Sequence, residues 1–210
     1  MNPLTRYLDP LPLIAVLRGI TPEEIPDVGD ALTSNGFRVL EVPLNSPRAL
    51  ESIRLLADQW GPECLVGAGT VIAVDDVARV RAAGGQVIVM PHADLAVIRA
   101  AKAQGMLCVP GVATPTEAFA ALAAGADGLK MFPAEALPPG ALRAWRAVLP
   151  AGTLVFAVGG MKPDNLASYW AAGASGFGTG SNLYQPGVAA GVVRETAKAY
   201  AAAVRALPAR

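Results

Sequence analysis

Short apolar runs of strand length alternate with alanine-rich stretches of helical spacing along the whole 210-residue chain. The runs fall at 13–17, 37–44, 64–71, 86–90, 106–110, 128–132, 154–158 and 176–178. Between them the apolar positions recur about once per helical turn. Leu50, Ile53, Leu56 and Ala57 share one face of segment 47–60, and Leu95 and Ile98 do so in 94–104, with Lys102 pointing outward on its stem. Glycines precede seven of the runs, at Gly36, Gly61, Gly84, Gly105, Gly125, Gly152 and Gly173, and each suits the left-handed residue that closes a helix. Helix starts are expected at Thr21-Pro22, Ser46-Pro47, Asp75, Thr114-Pro115 and Asp164. A long last helix is expected over 188–207.

Eight strand–helix alternations without a composition break predict one α/β domain over residues 1–210, built on a parallel sheet. That sheet is either open and doubly wound or closed as a (β/α)8 TIM barrel. Eight similar units favour closure, because an open sheet leaves two edges to protect. The open alternative also lacks a GxGxxG after its first strand. In a barrel, function lies at the C-terminal ends of the strands.

Composition narrows the partners. Hydrophobic residues make up 53% and aromatics 6%, so the core is built from Ala, Val and Leu. Seventeen basic residues balance seventeen acidic ones, which provides no field for nucleic acid or a membrane surface. Any bound phosphate must then be a small one held locally. Cys64 and Cys108 lie in apolar runs without CxxC spacing and read as buried thiols of a cytoplasmic protein. The single histidine, His92, cannot build a histidine-rich metal site. The apolar run 11–17 is too short to span a membrane and lacks signal-peptide flanks.

Two ionisable residues stand inside apolar strands. Lys130, in GLKMF, shares a strand face with Phe132, and burial would drive it towards the neutral, nucleophilic amine. The alternative is a lysine at a strand end that snorkels to water or pairs with a carboxylate. Glu41, in RVLEVP, occupies the corresponding place in the second strand. It would act as general acid/base or as a structural ion-pair partner. At other strand ends, Arg18 suits a carboxylate or phosphate, or pairs with a neighbouring loop. Gly67 and Gly69 allow close approach to the backbone, and Thr70 places a hydroxyl at the mouth. His92 reads as a spectator. After the last two strands, Gly159-Gly160 and Gly180-Ser181 would present backbone N–H groups to an anion, with a short helix starting at Ser181 and Lys162 nearby.

With these residues in place, the sequence resembles the class I aldolases that cleave 2-keto-3-deoxy-6-phospho-sugar acids, the KDPG/KDPGal family. The resemblance rests on IAVLRG, EVPLNSP, VGAGTV, PGVATPTEA, LKMFPAE and FAVGG, in order from the first strand to the seventh. It implies a (β/α)8 barrel, usually a homotrimer, with no metal and no cofactor. It implies Lys130 as the Schiff-base lysine and Glu41 as the general acid/base. Thr70 would hold the pyruvate carboxylate, Phe132 would line that pocket, and Arg18, Gly159, Gly160 and Ser181 would surround the phosphate. Asn45 and Val158 stand where the gluconate-type branch carries arginine and threonine. Both match the galactonate-type branch, whose substrate yields pyruvate and glyceraldehyde 3-phosphate. The competing readings are KDPG or dual specificity, a non-catalytic phosphate-binding barrel, and a metal-dependent aldolase.

Overall fold

Each apolar run becomes a strand because its alternate residues find two different cores. In the computed structural model, which describes residues 2–209, Leu13 and Ala15 of β1 (Leu13–Val16) pack outward under the helices, while Ile14 packs inward. The inner cluster also holds Val39, Leu65, Val87, Val89, Val109, Phe156 and Val158, with Leu4 and Tyr7 of the N-terminal 3-10 turn packed among them. A strand covered on both faces needs no polar face, and that is why these runs are continuously apolar.

The strands are β2 (Val39–Pro43), β3 (Leu65–Gly69), β4 (Val87–Val89), β5 (Leu107–Val109), β6 (Gly111–Val112), β7 (Leu129–Met131), β8 (Val155–Val158) and β9 (Gly176–Thr179). All pair in parallel, in the order β5-β4-β3-β2-β1-β9-β8-β7-β6. The two ends of that order, β5 and β6, are separated in sequence by Pro110 alone, whose carbonyl accepts from Lys130 N–H at 2.8 Å. The sheet is therefore a nearly closed barrel of nine parallel strands alternating with helices. The run expected as a strand over 106–110 does stop at Pro110, which has no N–H to give to a ladder, and the two-residue β6 that follows it was not expected.

The helices are α1 (Ile25–Thr33), α2 (Ala49–Trp60), α3 (Val74–Ala82), α4 (Leu95–Ala103), α5 (Pro115–Ala123), α6 (Pro139–Arg146), α7 (Leu166–Ala171) and α8 (Ala190–Arg205). Thr114 caps α5 in a reciprocal box with Glu117, and Thr21 N–H donates to Glu24 before α1. Asp94, which the sequence reading did not single out as a cap, accepts from Ala96 and Val97 N–H. Three expected caps are corrected. The Ser46 hydroxyl instead accepts from Gly19 N–H at 2.9 Å, and α2 begins after Arg48, in the left-handed region at φ 45°. Asp75 lies inside the first turn of α3, where it complements the helix dipole. Asn165, rather than Asp164, precedes α7.

Six of the seven expected C-terminal glycines have positive φ; Gly61, at φ −52°, does not. Segment 181–183 forms a single hydrogen-bonded turn and not the expected short helix. Lys102 is not simply solvated, since its ammonium pairs with Asp127 at 2.6 Å. Among the described residues no helix is long and apolar enough to cross a membrane.

Candidate active site

Strand alternation sets the chemistry. In β7, Leu129 and Met131 pack outward, so Lys130 faces the barrel interior. In β2, Leu40 and Val42 pack outward and Val39 inward, which turns Glu41 inward as well. Both side chains are buried, Lys130 at 5% exposure and Glu41 at 1%. Glu41 Oε2 has no hydrogen-bond partner, and the two groups do not form a contact ion pair. The Glu41 carboxylate occupies the space over Gly69, where a Cβ would overlap it. The glycine in GAGT thus serves an inward-facing carboxyl on the neighbouring strand.

Burial dominates the ionisation of both groups. It pushes Glu41 up to about 7, against the pull of the Lys130 and Arg18 charges. It pushes Lys130 down from the ordinary lysine range; Glu41 opposes this and Arg18 assists it. Each group is thereby biased towards its neutral form. Lys130 Nζ also stands 4.6 Å from the centre of the Phe132 ring.

Lys130 opens into a cavity of about 390 Å³ at the C-terminal mouth, shared with Arg18, Phe132, Val158, Gly159, Gly160 and Ser181. Seven of the ten residues singled out from the sequence therefore line one space. Glu41, Asn45 and Thr70 lie outside its lining. Arg18 connects two of these to it, donating to Asn45 Oδ1 at 2.7 Å and Thr70 Oγ1 at 3.3 Å. Arg18, expected at the phosphate end, lines the cavity together with Gly159, Gly160 and Ser181 while its guanidinium reaches Asn45 and Thr70. Thr70 has φ 54°, a strained setting for a β-branched residue, which a packed site can enforce.

The opposite wall carries the glycines. Gly159 and Gly160 both have positive φ, at 105° and 67°, which other residues adopt only with strain. Among the described residues, nothing accepts from the N–H groups of Gly160 and Ser181, which leaves them available to an anion. His92 and Lys162 are exposed and do not line the cavity. The sequence reading missed Tyr184, Met161 and Pro186 as wall residues. Tyr184 ends the GFGTGSNLY stretch, but nothing in its spacing reveals which way that loop turns. Among the described residues no three of His, Cys, Asp and Glu gather as a metal site.

A buried amine, a neighbouring carboxyl and an anion-ready wall around one cavity define a barrel equipped for imine chemistry on a small anionic carbonyl compound. Comparison with known proteins makes this specific. The model of the KDPG and KHG aldolases matches residues 4–198, and the chain belongs to that family. It is 50% identical to the probable 2-dehydro-3-deoxy-6-phosphogalactonate aldolase of Rhizobium meliloti (strain 1021), over 93% of this chain and 92% of that protein. To the 2-dehydro-3-deoxy-6-phosphogalactonate aldolase of Escherichia coli (strain K12) it is 47% identical, over 93% and 94%. A solved structure described as native KDPGal superposes with a TM-score of 0.93 at 45% identity, covering 95% of this chain and 97% of the other.

Proposed function

We propose that this protein is a class I aldolase that cleaves 2-dehydro-3-deoxy-6-phosphogalactonate to pyruvate and D-glyceraldehyde 3-phosphate through an imine on Lys130. The observation that carries this reading is the inward-facing, buried pair of Lys130 and Glu41, each pushed by burial towards its neutral form, with Lys130 at a cavity whose far wall offers free N–H groups. The Lys130 amine attacks the C2 ketone to give a carbinolamine. Proton transfer from Glu41 to the C2 hydroxyl releases water and leaves the iminium ion. The Glu41 carboxylate left by that transfer takes the C4 hydroxyl proton, and the C3–C4 bond breaks with its electron pair flowing to the iminium nitrogen. The aldehyde leaves, and the remaining enamine is protonated at C3 and hydrolysed to pyruvate. The iminium serves as the electron sink, so the scheme calls for no metal or cofactor.

Thr70 takes the substrate carboxylate and Phe132 lines its pocket. Gly159, Gly160 and Ser181 receive the phosphate, with Arg18 as the cation between the two ends. Asn45 acts through Arg18. We read β5 and β6 as halves of one strand, which makes the fold a (β/α)8 TIM barrel. The assembly is a homotrimer, in keeping with the family resemblance and with the exposed apolar side chains of Ile72, Val74, Phe119, Val148 and Val192. Free buried thiols at Cys64 and Cys108 suit a cytoplasmic setting.

The deciding experiment is reduction with borohydride in the presence of pyruvate, followed by intact mass and peptide mapping. One reduced pyruvyl group on Lys130 is expected. Modification of Lys102, Lys162 or Lys198 instead would sink the mechanism.

A further inference from the structure

The outer wall of the cavity is the irregular segment 180–187 between β9 and α8, and its internal bonds are few. Leu183 and Tyr184 N–H donate to Gly180 O at 2.7 and 3.0 Å, and Asn182 Nδ2 donates to Met161 O at 3.2 Å. Two further anchors converge on one side chain from the opposite end of the sequence. Glu24 Oε1 accepts from the Tyr184 hydroxyl at 2.9 Å and from Gly187 N–H at 3.1 Å. Its Oε2 accepts from Thr21 N–H at 2.9 Å and the Thr21 hydroxyl at 3.1 Å. Pro186 seals the same seam, packed so closely on Gly19 that a Cβ there would lie 2.6 Å from Pro186 Cγ. Tyr184 and Pro186 line the cavity, and Glu24 does not.

We propose that Glu24 is a positioning residue for the phosphate end of the site, tying the wall that carries Ser181 to the loop that carries Arg18 and Gly19. The assignment of that end rests on the aldolase reading. Both tethered segments present anion-facing groups, so their separation fixes the size of the anion site. Burial pushes the Glu24 carboxyl upward, but the hydrogen bonds from Thr21, Tyr184 and Gly187 outweigh it and hold the group below its usual range. The bonds are therefore charge-assisted at working pH. Without Glu24, the buried Tyr184 hydroxyl and Gly187 N–H lose their acceptor. The wall keeps its local turn, the Asn182 and Gln185 side-chain bonds and the Pro186 packing, none of which ties it to Thr21.

The test compares wild type with Glu24→Ala and with Tyr184→Phe, which keeps the ring and removes one donor. KM for the phosphorylated substrate should rise by about 5- to 100-fold, the scale on which misplaced binding groups act. Deuterium exchange at pyruvate C3, which engages only the Lys130 end, should stay within about two-fold of wild type, since this separates positioning from general damage. Inorganic phosphate, titrated calorimetrically, should bind more weakly to both variants. Parallel loss of exchange and cleavage, or unaltered KM and phosphate affinity, would overturn the proposal. If Glu24→Ala does not fold, Tyr184→Phe decides alone. Wild type that binds phosphate without exchanging or cleaving would remove the aldolase reading, and the phosphate titrations would still decide the role of Glu24.

Discussion

Glu41 carries opposite consequences for catalysis and for stability. As a proton relay, its replacement in Glu41→Gln should slow turnover by roughly 10²–10⁴-fold and remove the limb of the pH–rate profile near pH 7. Steady-state kinetics across pH 5–9 would show a retained limb if another group were responsible. The stability effect runs the other way. Burial raises Glu41 from 4.5 to about 7, so between those values the folded state holds a proton that the unfolded state has lost. That contribution is complete at low pH and disappears as pH rises through about 7, a swing of about 3 kcal/mol. Glu41→Gln should therefore gain stability relative to wild type between pH 4.5 and 8, measured by denaturant unfolding at each pH. A constant difference would mean that the carboxyl is not desolvated. Val158 bears on the choice of epimer. Buried at 8% exposure in the cavity wall, it has no hydrogen-bonding group, so on the proposed reading a substrate C4 hydroxyl placed against it stays unpaired, which costs about 1–3 kcal/mol, or roughly 5- to 150-fold. Val158→Thr should shift kcat/KM towards the gluconate epimer. An unchanged ratio would free this position from the specificity assignment.

At the level of elements, β2 and β7 deliver the two inward-facing ionisable groups, and the loops after β8 and β9 form the opposite wall of the cavity. Gly160 illustrates the loop's part, since its φ is 67° and a Cβ would lie 2.7 Å from Glu135 Oε2. Alanine there strains the backbone and moves the N–H that the proposed function assigns to the phosphate. Gly160→Ala should lower kcat/KM for the phosphorylated substrate by about 10- to 100-fold while leaving borohydride trapping of pyruvate on Lys130 intact. Equal loss of both would show that the loop supports the whole site. Cap residues were only partly legible at this scale. Thr114 announces its helix because Pro115 and Glu117 follow it, whereas Ser46 mimics a cap yet holds Gly19 across a loop 27 residues away. A local pattern cannot distinguish an acceptor for its own helix from one for a neighbour.

For the molecule as a whole, the barrel separates stability from activity by end. Leu4, fully buried from an N-terminal turn, joins the inner cluster formed by residues of β1 to β5 and β8 and is not part of the cavity lining at the C-terminal mouth. Leu4→Ala should destabilise by about 2–5 kcal/mol, as large-to-small core changes do, with kcat/KM nearly unchanged. Urea unfolding and steady-state kinetics on the same preparation check both halves of that statement. A large kinetic loss would show that the two ends are coupled.

The sequence by itself determined the alternation of strands and helices and the family, and it singled out Lys130 and Glu41. It predicted eight strands where the structure has nine, because Pro110 divides one region into β5 and β6. A strand buried on both faces must be apolar, so an ionisable residue inside one stands out without any coordinates. What the tertiary structure decided were relations between strands and loops distant in the chain. Arg18 bridges to Asn45 and Thr70, Gly69 makes room for Glu41, and Glu24 clasps Tyr184 from 160 residues away. None of these leaves a local signature, because the partners meet only when β1 pairs with β2 and β9 and β2 pairs with β3. Burial, and with it the upward push on Glu41 and the downward push on Lys130, likewise exists only once the barrel has excluded water around them.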